Sequence, residues 1–331
     1  MVAAGENVLA APELRRLKTA AEGARAAVAD YRTWLEGTLI HGTDDWALGR
    51  ERYDELVSLR AFDGLDADAI LQIGQDQLAL NRAARVSAAR EIDPKVDEPT
   101  VVGRIKSDHP ATFAAALDAY REVMFRARQH LIDRDIVTVP DDERIEVIPT
   151  PEYIRNVIPF AAYFDPPKFD ANPSGIYIVT PSVGNDPNAM REQGFDDAPN
   201  FRLNMYTDAI WRACRIILDV RMHRGEIGVD DAIRFMVEQT SFEEPNARAE
   251  VLRYTYTPTY QLSYLLGKVL LLQLRADESA RLGSAFSLRR FHDALMRNAS
   301  LPISFQRRLL AGDGGGTVLG GGSGVDRAAA R

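Results

Sequence analysis

Between residues 136 and 187 the chain carries nine prolines, and no other feature limits its fold as tightly. Proline lacks a backbone N–H and fixes φ, so it interrupts helices and sits only at the margins of a sheet. Within this stretch DIVTVP, RIEVIPTP and GIYIVTP are short, β-branched and bounded by Pro or Gly, which is the pattern of strands. A small sheet of short strands is expected here, with GIYIVT free to pair with an extended peptide at an edge.

Both flanks read as helix. PELRRLKTAAEGARAAVADYRTWLEGTL is Ala-rich and follows the helix-starting Pro12. ALGRERYDELVSLRAF is a shorter amphipathic stretch. DADAILQIGQDQLALNRAARVSAAREI opens on Asp residues and is stopped by Pro94 and Pro99. HPATFAAALDAYREVMFRARQHLIDR is the fourth helix of this half. After Phe201, FRLNMYTDAIWRACRIILDVRMHRG ends on Gly225, a suitable C-terminal stop. GVDDAIRFMVEQTS follows. The stretch from Pro245 to Ser279 should break near Thr257–Pro258, because the residue before proline avoids helix. LRRFHDALMRNA then closes the fold, and the Gly-rich tail 313–331 is expected to be disordered. The expected class is mainly α with a small sheet. One domain spans 1–312, with helices over 1–135, the sheet over 136–187 and helices again over 200–312.

The net charge of −8 argues against binding to duplex nucleic acid, which needs a clustered basic face. The longest apolar run, YLLGKVLLLQL, is short and contains Lys268, well below the roughly 20 residues that span a bilayer. Cys214 is the single cysteine, so neither an internal disulfide nor a cysteine metal cluster can form. No basic start leads into an apolar core at the N-terminus, and a cytoplasmic location is expected.

His41, His109, His130, His223 and His292 include no H-E-x-x-H pair, and no Gly-x-Ser-x-Gly elbow, P-loop or G-x-G-x-x-G follows a strand. Three constellations remain. Arg215, Asp219 and His223 fall at i, i+4 and i+8 and share one helix face, either as a solvated stripe or as the wall of a pocket in which Asp219 orients a neighbour. Around Pro258, Arg253, Tyr254, Tyr260 and Tyr264 can be core or can meet a ligand, since buried phenols need partners. Gly267, inside the same helical pattern, suggests close packing. His292 and Asp293 are adjacent on a helix, do not face each other, and read as structural.

These segments together resemble the bacterial domain-of-unknown-function family 885. YRTWLEGTL with GRERYDELV is similar to the family's N-terminal helices, IEVIPTPEYIRNVIPFAAYFDPPKFD and GIYIVTP to its strands, and AIWRACRIILDVRMHRG, EVLRYTYTPTYQLSYLLGKVLLLQLR and FHDALMRNASLPISF to its C-terminal helices. The resemblance implies a helical, gluzincin-type zinc hydrolase or peptidase scaffold. It also implies an H-E-x-x-P-G-H-H motif and a later E-G-W segment, both before the WRACR helix, as the source of zinc ligands and general base. This chain has neither, and passes from Met190 to Gly194 without a histidine. One AMREQGF, Ala189–Phe195, stands where the family has two MRE-like segments, as an in-frame loss between them would leave it.

Zinc hydrolysis needs a cation to acidify bound water and a carboxylate to move its proton. Without the motif, no metal site and no catalytic residue is assigned. His223 and Asp219 make at most a two-ligand site, which is insufficient. The expected remnant is a ligand cradle for a peptide or small carboxylate. In it Arg215 or Arg253 holds the carboxylate, and Tyr254, Tyr260 and Tyr264 donate to a carbonyl or oxyanion. The expectations are thus an impaired hydrolase or, alternatively, a peptide- or protein-binding module. A weaker third is metal-free hydrolysis by His223 and Asp219. The loss should also bare apolar faces, lower stability and promote self-association.

Overall fold

The computed structural model describes residues 5–180, apart from 7, 40, 44, 61, 108–109, 143, 156–157, 159–160 and 167–173, and residues 199–312 apart from 299. AMREQGF, His109 and the Gly-rich tail lie outside the described residues. Contacts divide the chain into a unit of residues 1–46 and a unit of residues 47–331. The first contains α1, Ala11–Leu39, whose Pro12 and Glu13 occupy the first turn; none of its residues is buried. Arg32 and Glu36, an i, i+4 pair at 2.8 Å, add the small increment usual for exposed ions.

The second unit is organised on α6, Pro199–His223, which is buried from Ala213 to Val220. It lies along α3, Ala67–Ile92, and the contact is close because α3 has glycine at 74: a Cβ there would stand 2.8 Å from Ile216 Cγ2. Asp66 caps α3 by accepting from the Ala69 N–H at 2.8 Å. Tyr53 and Val57 of α2, Arg50–Leu59, join Ile70, Ala213, Ile216 and Val220 in the main core with Leu262, Leu265 and Leu266. Each such aliphatic side chain contributes about 1.5–3 kcal/mol on burial.

α4, Glu98–Ser107, departs from the sequence expectation, which takes Pro94 and Pro99 as breakers. Pro99 sits in the first turn, where its missing N–H has no intrahelical partner to lose. Val101, Val102 and Ile105 then pack on Ala88, Ala89 and Leu203. α5, Phe113–Asp133, is capped by Thr112 and lays Leu117 and Tyr120 against Val147 and Val179 of the sheet.

Among the described residues that sheet has three strands in the order β1, β3, β2: Ile145–Pro149, Gly175–Val179 and Ala161–Phe164. β1 and β3 run parallel, from Ile145 opposite Gly175 to Pro149 opposite Val179, and β2 is antiparallel to β3. The sheet is small, as its prolines dictate, but two expectations fail. GIYIV is the central strand, paired on both sides, so it offers no edge to a peptide. DIVTVP forms no strand; its polar groups turn to α10, Leu288–Arg297, instead. His292 Nδ1 lies 2.7 Å from the Ile136 carbonyl, and Asp293 accepts from the Thr138 N–H at 2.8 Å and hydroxyl at 2.7 Å.

Gly225, at φ 75°, ends α6 and leads to α7, Val229–Thr240, and α8, Glu244–Tyr254. The expected break at Pro258 is present: Thr259 takes φ 68°, a single 3-10 turn covers Tyr260–Leu262, and α9 runs Ser263–Leu282. α11, Ile303–Ala311, extends the helical part beyond the expected close at α10. Gly267 owes nothing to close packing, because a Cβ there would meet no atom within 4 Å. No described helix is long and apolar enough to cross a membrane.

Candidate functional site

The seven singled-out side chains lie where α6 meets α8 and the turn after Pro258, but in two groups of different character. The inner group surrounds the C-terminal half of α6. Asp219 and His223 are fully buried, so they form neither a solvated stripe nor the wall of an open pocket. They are also not bonded to one another. Asp219 Oδ2 accepts from the Tyr53 phenol at 2.7 Å and from the Thr259 N–H at 2.9 Å. Its Oδ1 has no hydrogen-bond partner among the described residues. Burial pushes the Asp219 carboxyl up to about 7, against the bonds from Tyr53 and Thr259 and the charge of Arg215.

His223 turns the other way, with Nε2 2.9 Å from the Tyr254 carbonyl. A carbonyl only accepts, so Nε2 carries the proton. Burial holds the imidazole below its ordinary range, outweighing the bond to Tyr254. Its ring stacks on Tyr53, centroids 5.8 Å apart and planes 7° from parallel. Tyr53 was not foreseen; it lies 166 residues from Asp219, and nothing in GRERYDELV marks it as a partner. Burial first, and then the Asp219 charge, raise its phenol well above the usual range.

The outer group faces α8 and α9. Tyr254 is fully buried and its hydroxyl donates to Glu250 Oε2 at 2.8 Å, which removes it as a donor to a ligand. Arg253 Nη2 reaches both Glu250 oxygens, at 2.9 and 2.8 Å. Burial works against the Arg253 cation, but Glu250 outweighs it and the pKa rises. Of the two arginines considered for a carboxylate, Arg253 is thus already paired.

Arg215 is not. Only 3% of it is exposed, yet among the described residues no acid lies within ion-pair distance, and its acceptor is an amide. Its Nη2 donates to the neutral Gln261 amide oxygen at 2.9 Å, and its Nε is buried without a hydrogen bond. Gln261 is oriented in turn by donating to the Thr257 hydroxyl at 2.5 Å. The guanidinium lies among three rings, 4.6 Å from the centroid of Tyr264, 5.6 Å from Trp211 and 5.8 Å from Tyr254. Cation–π contact is worth about 0.5–2 kcal/mol each and does not replace a counter-ion. Above it Tyr260 and Tyr264 are about half exposed, edge to face, their hydroxyls 3.4 Å apart.

No described group of three or more His, Cys, Asp or Glu side chains is arranged to hold a metal ion. An open groove of about 490 Å³ between α7 and α8, lined by Ile233, Val237 and salt-bridged surface residues, contains none of the residues above.

The fold and this interior define a mainly helical protein built around one buried polar helix, with a small mixed sheet beside it. Residues 3–189 and 187–310 match the bacterial protein family of unknown function DUF885, and the chain belongs to that family. Its structure is similar to the crystal structure of a candidate lipoprotein from Colwellia psychrerythraea, with a TM-score of 0.78 and 18% identity, over 91% of this chain and 63% of that one. It is also similar to a candidate lipoprotein of unknown function from Shewanella oneidensis, with a TM-score of 0.70 and 17% identity, over 92% of this chain and 68% of that one. At these identities the likeness is one of fold. The chain therefore spans less than two thirds of the length of the Colwellia protein. No curated protein matches the sequence.

Proposed function

We propose that this chain is a ligand-binding remnant of a gluzincin-type zinc hydrolase or peptidase scaffold, its hydrolytic activity lost or strongly impaired. The observation that carries the reading is the commitment of Asp219 and His223 to separate internal partners, Tyr53 and the Tyr254 carbonyl, 0% exposed and not convergent. Zinc, the cation the resemblance implies, does not fit the described residues: a catalytic site takes three protein ligands, and two buried groups facing different ways supply no such set. No step is therefore routed through a metal.

The break in the family match supports the loss of a segment. Its two stretches share residues 187–189, where AMREQGF begins. Resequencing the source locus tests this: an uninterrupted H-E-x-x-P-G-H-H segment in the DNA would refute a natural deletion. Purified protein should hold no stoichiometric zinc and should not cleave a mixed peptide library. Bound zinc together with turnover would restore the enzyme reading.

The second reading, a non-catalytic peptide- or protein-binding module, is favoured by Arg215, a buried cation with no described acid partner. Duplex nucleic acid and membrane lipid are not proposed as partners. Location is open to a direct test. The single thiol, Cys214, fits the cytoplasm, whereas the lipoprotein description of the two similar structures favours the envelope; fractionation of cells expressing the chain decides.

A further inference from the structure

We propose that Arg215 anchors a single terminal carboxylate, on a ligand whose apolar body lies against Tyr260 and Tyr264, with the Tyr264 ring moving aside to admit it. This rests on the binding reading above and names its ligand class.

The argument begins with how this fold treats its other buried guanidinium groups. Arg224 holds Asp54 at 2.8 Å and Asp68 at 2.5 Å, Arg85 pairs with Glu98, and the partly buried Arg253 takes Glu250. A buried cation without such a partner is expensive, since desolvation is not offset. Arg215 breaks the pattern among the described residues, having one neutral amide acceptor and an orphaned Nε. Neither nearby acid lies within ion-pair distance of it, although one oxygen of Asp219 is unbonded among the described residues. Glu250 is taken by Arg253 and Tyr254, and Asp219 Oδ2 by Tyr53 and Thr259. A planar carboxylate is the natural complement of an open guanidinium edge.

The charges nearby limit the ligand further. Arg253 is held by Glu250, and among the described residues Arg215 is the one cation here without an acid at ion-pair distance, so a dianion such as a phosphate would meet the repulsion of Glu250 and Asp219 with a single unpaired cation to offset it. Among the described residues the one ring within 5 Å of the Arg215 guanidinium carbon is Tyr264, which is about half exposed and therefore the side with room to move. Tyr260 and Tyr264 present two ring surfaces and two hydroxyls on that side. That is a wall for an aromatic or aliphatic side chain beside the carboxylate, with donors for its second oxygen.

Such a carboxylate can come from a peptide C-terminus or from a free N-acylated amino acid. Calorimetric titration with Ala-Ala-Phe, Ala-Ala-Phe amide, N-acetyl-phenylalanine and its amide separates the two sources. At least one acid should bind ten-fold or more tightly than its amide; the peptide alone doing so identifies a peptide end, and both doing so identifies the shared group. Arg215→Gln should erase the difference. If that variant fails to fold by circular dichroism, Tyr264→Ala serves instead, expected to weaken binding of the acid while keeping its preference over the amide. Equal binding of acid and amide, binding of neither, or a preference that survives Arg215→Gln would overturn the proposal. None of these readouts uses turnover or metal, so the carboxylate site can fail while the impaired-hydrolase reading stands, and zinc-dependent cleavage can sink that reading without touching this one.

Discussion

The phenol of Tyr53 donates to Asp219 across 2.7 Å, joining α2 to the middle of the buried helix α6 over 166 positions of sequence. The acceptor is fully buried, so losing this donor leaves a carboxyl oxygen without its share of stabilisation. Tyr53→Phe keeps the ring and its stacking on His223, and should lower the free energy of unfolding by about 1–3 kcal/mol. Urea denaturation followed by circular dichroism measures it; an unchanged midpoint would show that the bond contributes nothing net.

The same carboxyl makes stability depend on pH in a defined direction. Asp219 is pushed up to about 7 in the folded protein, while an unfolded Asp titrates near 3.9. Between those values the folded state binds more protons than the unfolded one, so stability falls as pH rises. The contribution is fully present below the unfolded value and is lost by the time pH passes the folded one. Asp219→Asn removes this titration. The stability of the wild type relative to Asp219→Asn should therefore fall between pH 5 and pH 8, and denaturation at those two values reads it. A constant difference, or one that grows with pH, would contradict the burial argument.

Two glycines on helices should respond in opposite senses. At position 74 a Cβ would stand 2.8 Å from Ile216, between two packed helices, so Gly74→Ala must push α3 from α6 or displace Ile216. A loss of about 1–3 kcal/mol is expected. At position 267 no atom lies within 4 Å of the added methyl, and Gly267→Ala should stabilise by up to about 1 kcal/mol through helix propensity. Thermal melts of the pair should move apart; a shift of both in one direction would refute the packing assigned to either.

His223 separates a structural role from the remaining metal-free alternative. With Nε2 bonded to the Tyr254 carbonyl and the ring stacked on Tyr53, His223→Ala should destabilise the protein by at least about 1 kcal/mol. It should leave any peptide cleavage per folded molecule unchanged. A folded variant that had lost measurable cleavage would instead favour hydrolysis by His223 and Asp219.

The parts of this architecture written in local signals were legible from sequence. Gly225 at the end of α6, the Asp66 cap of α3, and the break at Pro258 each depend on a few neighbouring residues. The sheet's existence followed from its β-branched, proline-bounded runs, but its order did not. Whether GIYIV is edge or centre depends on β2, a four-residue strand whose sequence, AAYF, carries no strand signal of its own. The site was readable to a similar depth. Spacing alone put Arg215, Asp219 and His223 on one helix face, yet could not say that the face is buried, because their partners Gln261, Tyr53 and Tyr254 come from elsewhere in the chain. Distinguishing the paired Arg253 from the unpaired Arg215 required the position of Glu250 relative to both.

The first unit carries a surface suited to self-association. α1 has 29 residues and buries none of them, leaving Val28, Tyr31, Trp34 and Leu39 well exposed. Tyr31 and Trp34 stack at 5.6 Å, so their apolar area is continuous rather than scattered. A helix gains most of its stability from burying a face, and a contiguous exposed apolar patch is a site of association. Light scattering after gel filtration should show a mass that rises with concentration. Replacing Tyr31 and Trp34 together by lysine should return the protein toward a monomer without loss of helicity, since lysine is a good helix former. A monomer at every concentration, with one sharp unfolding transition, would show that these rings do not drive assembly and that the chain tolerates its exposed surface.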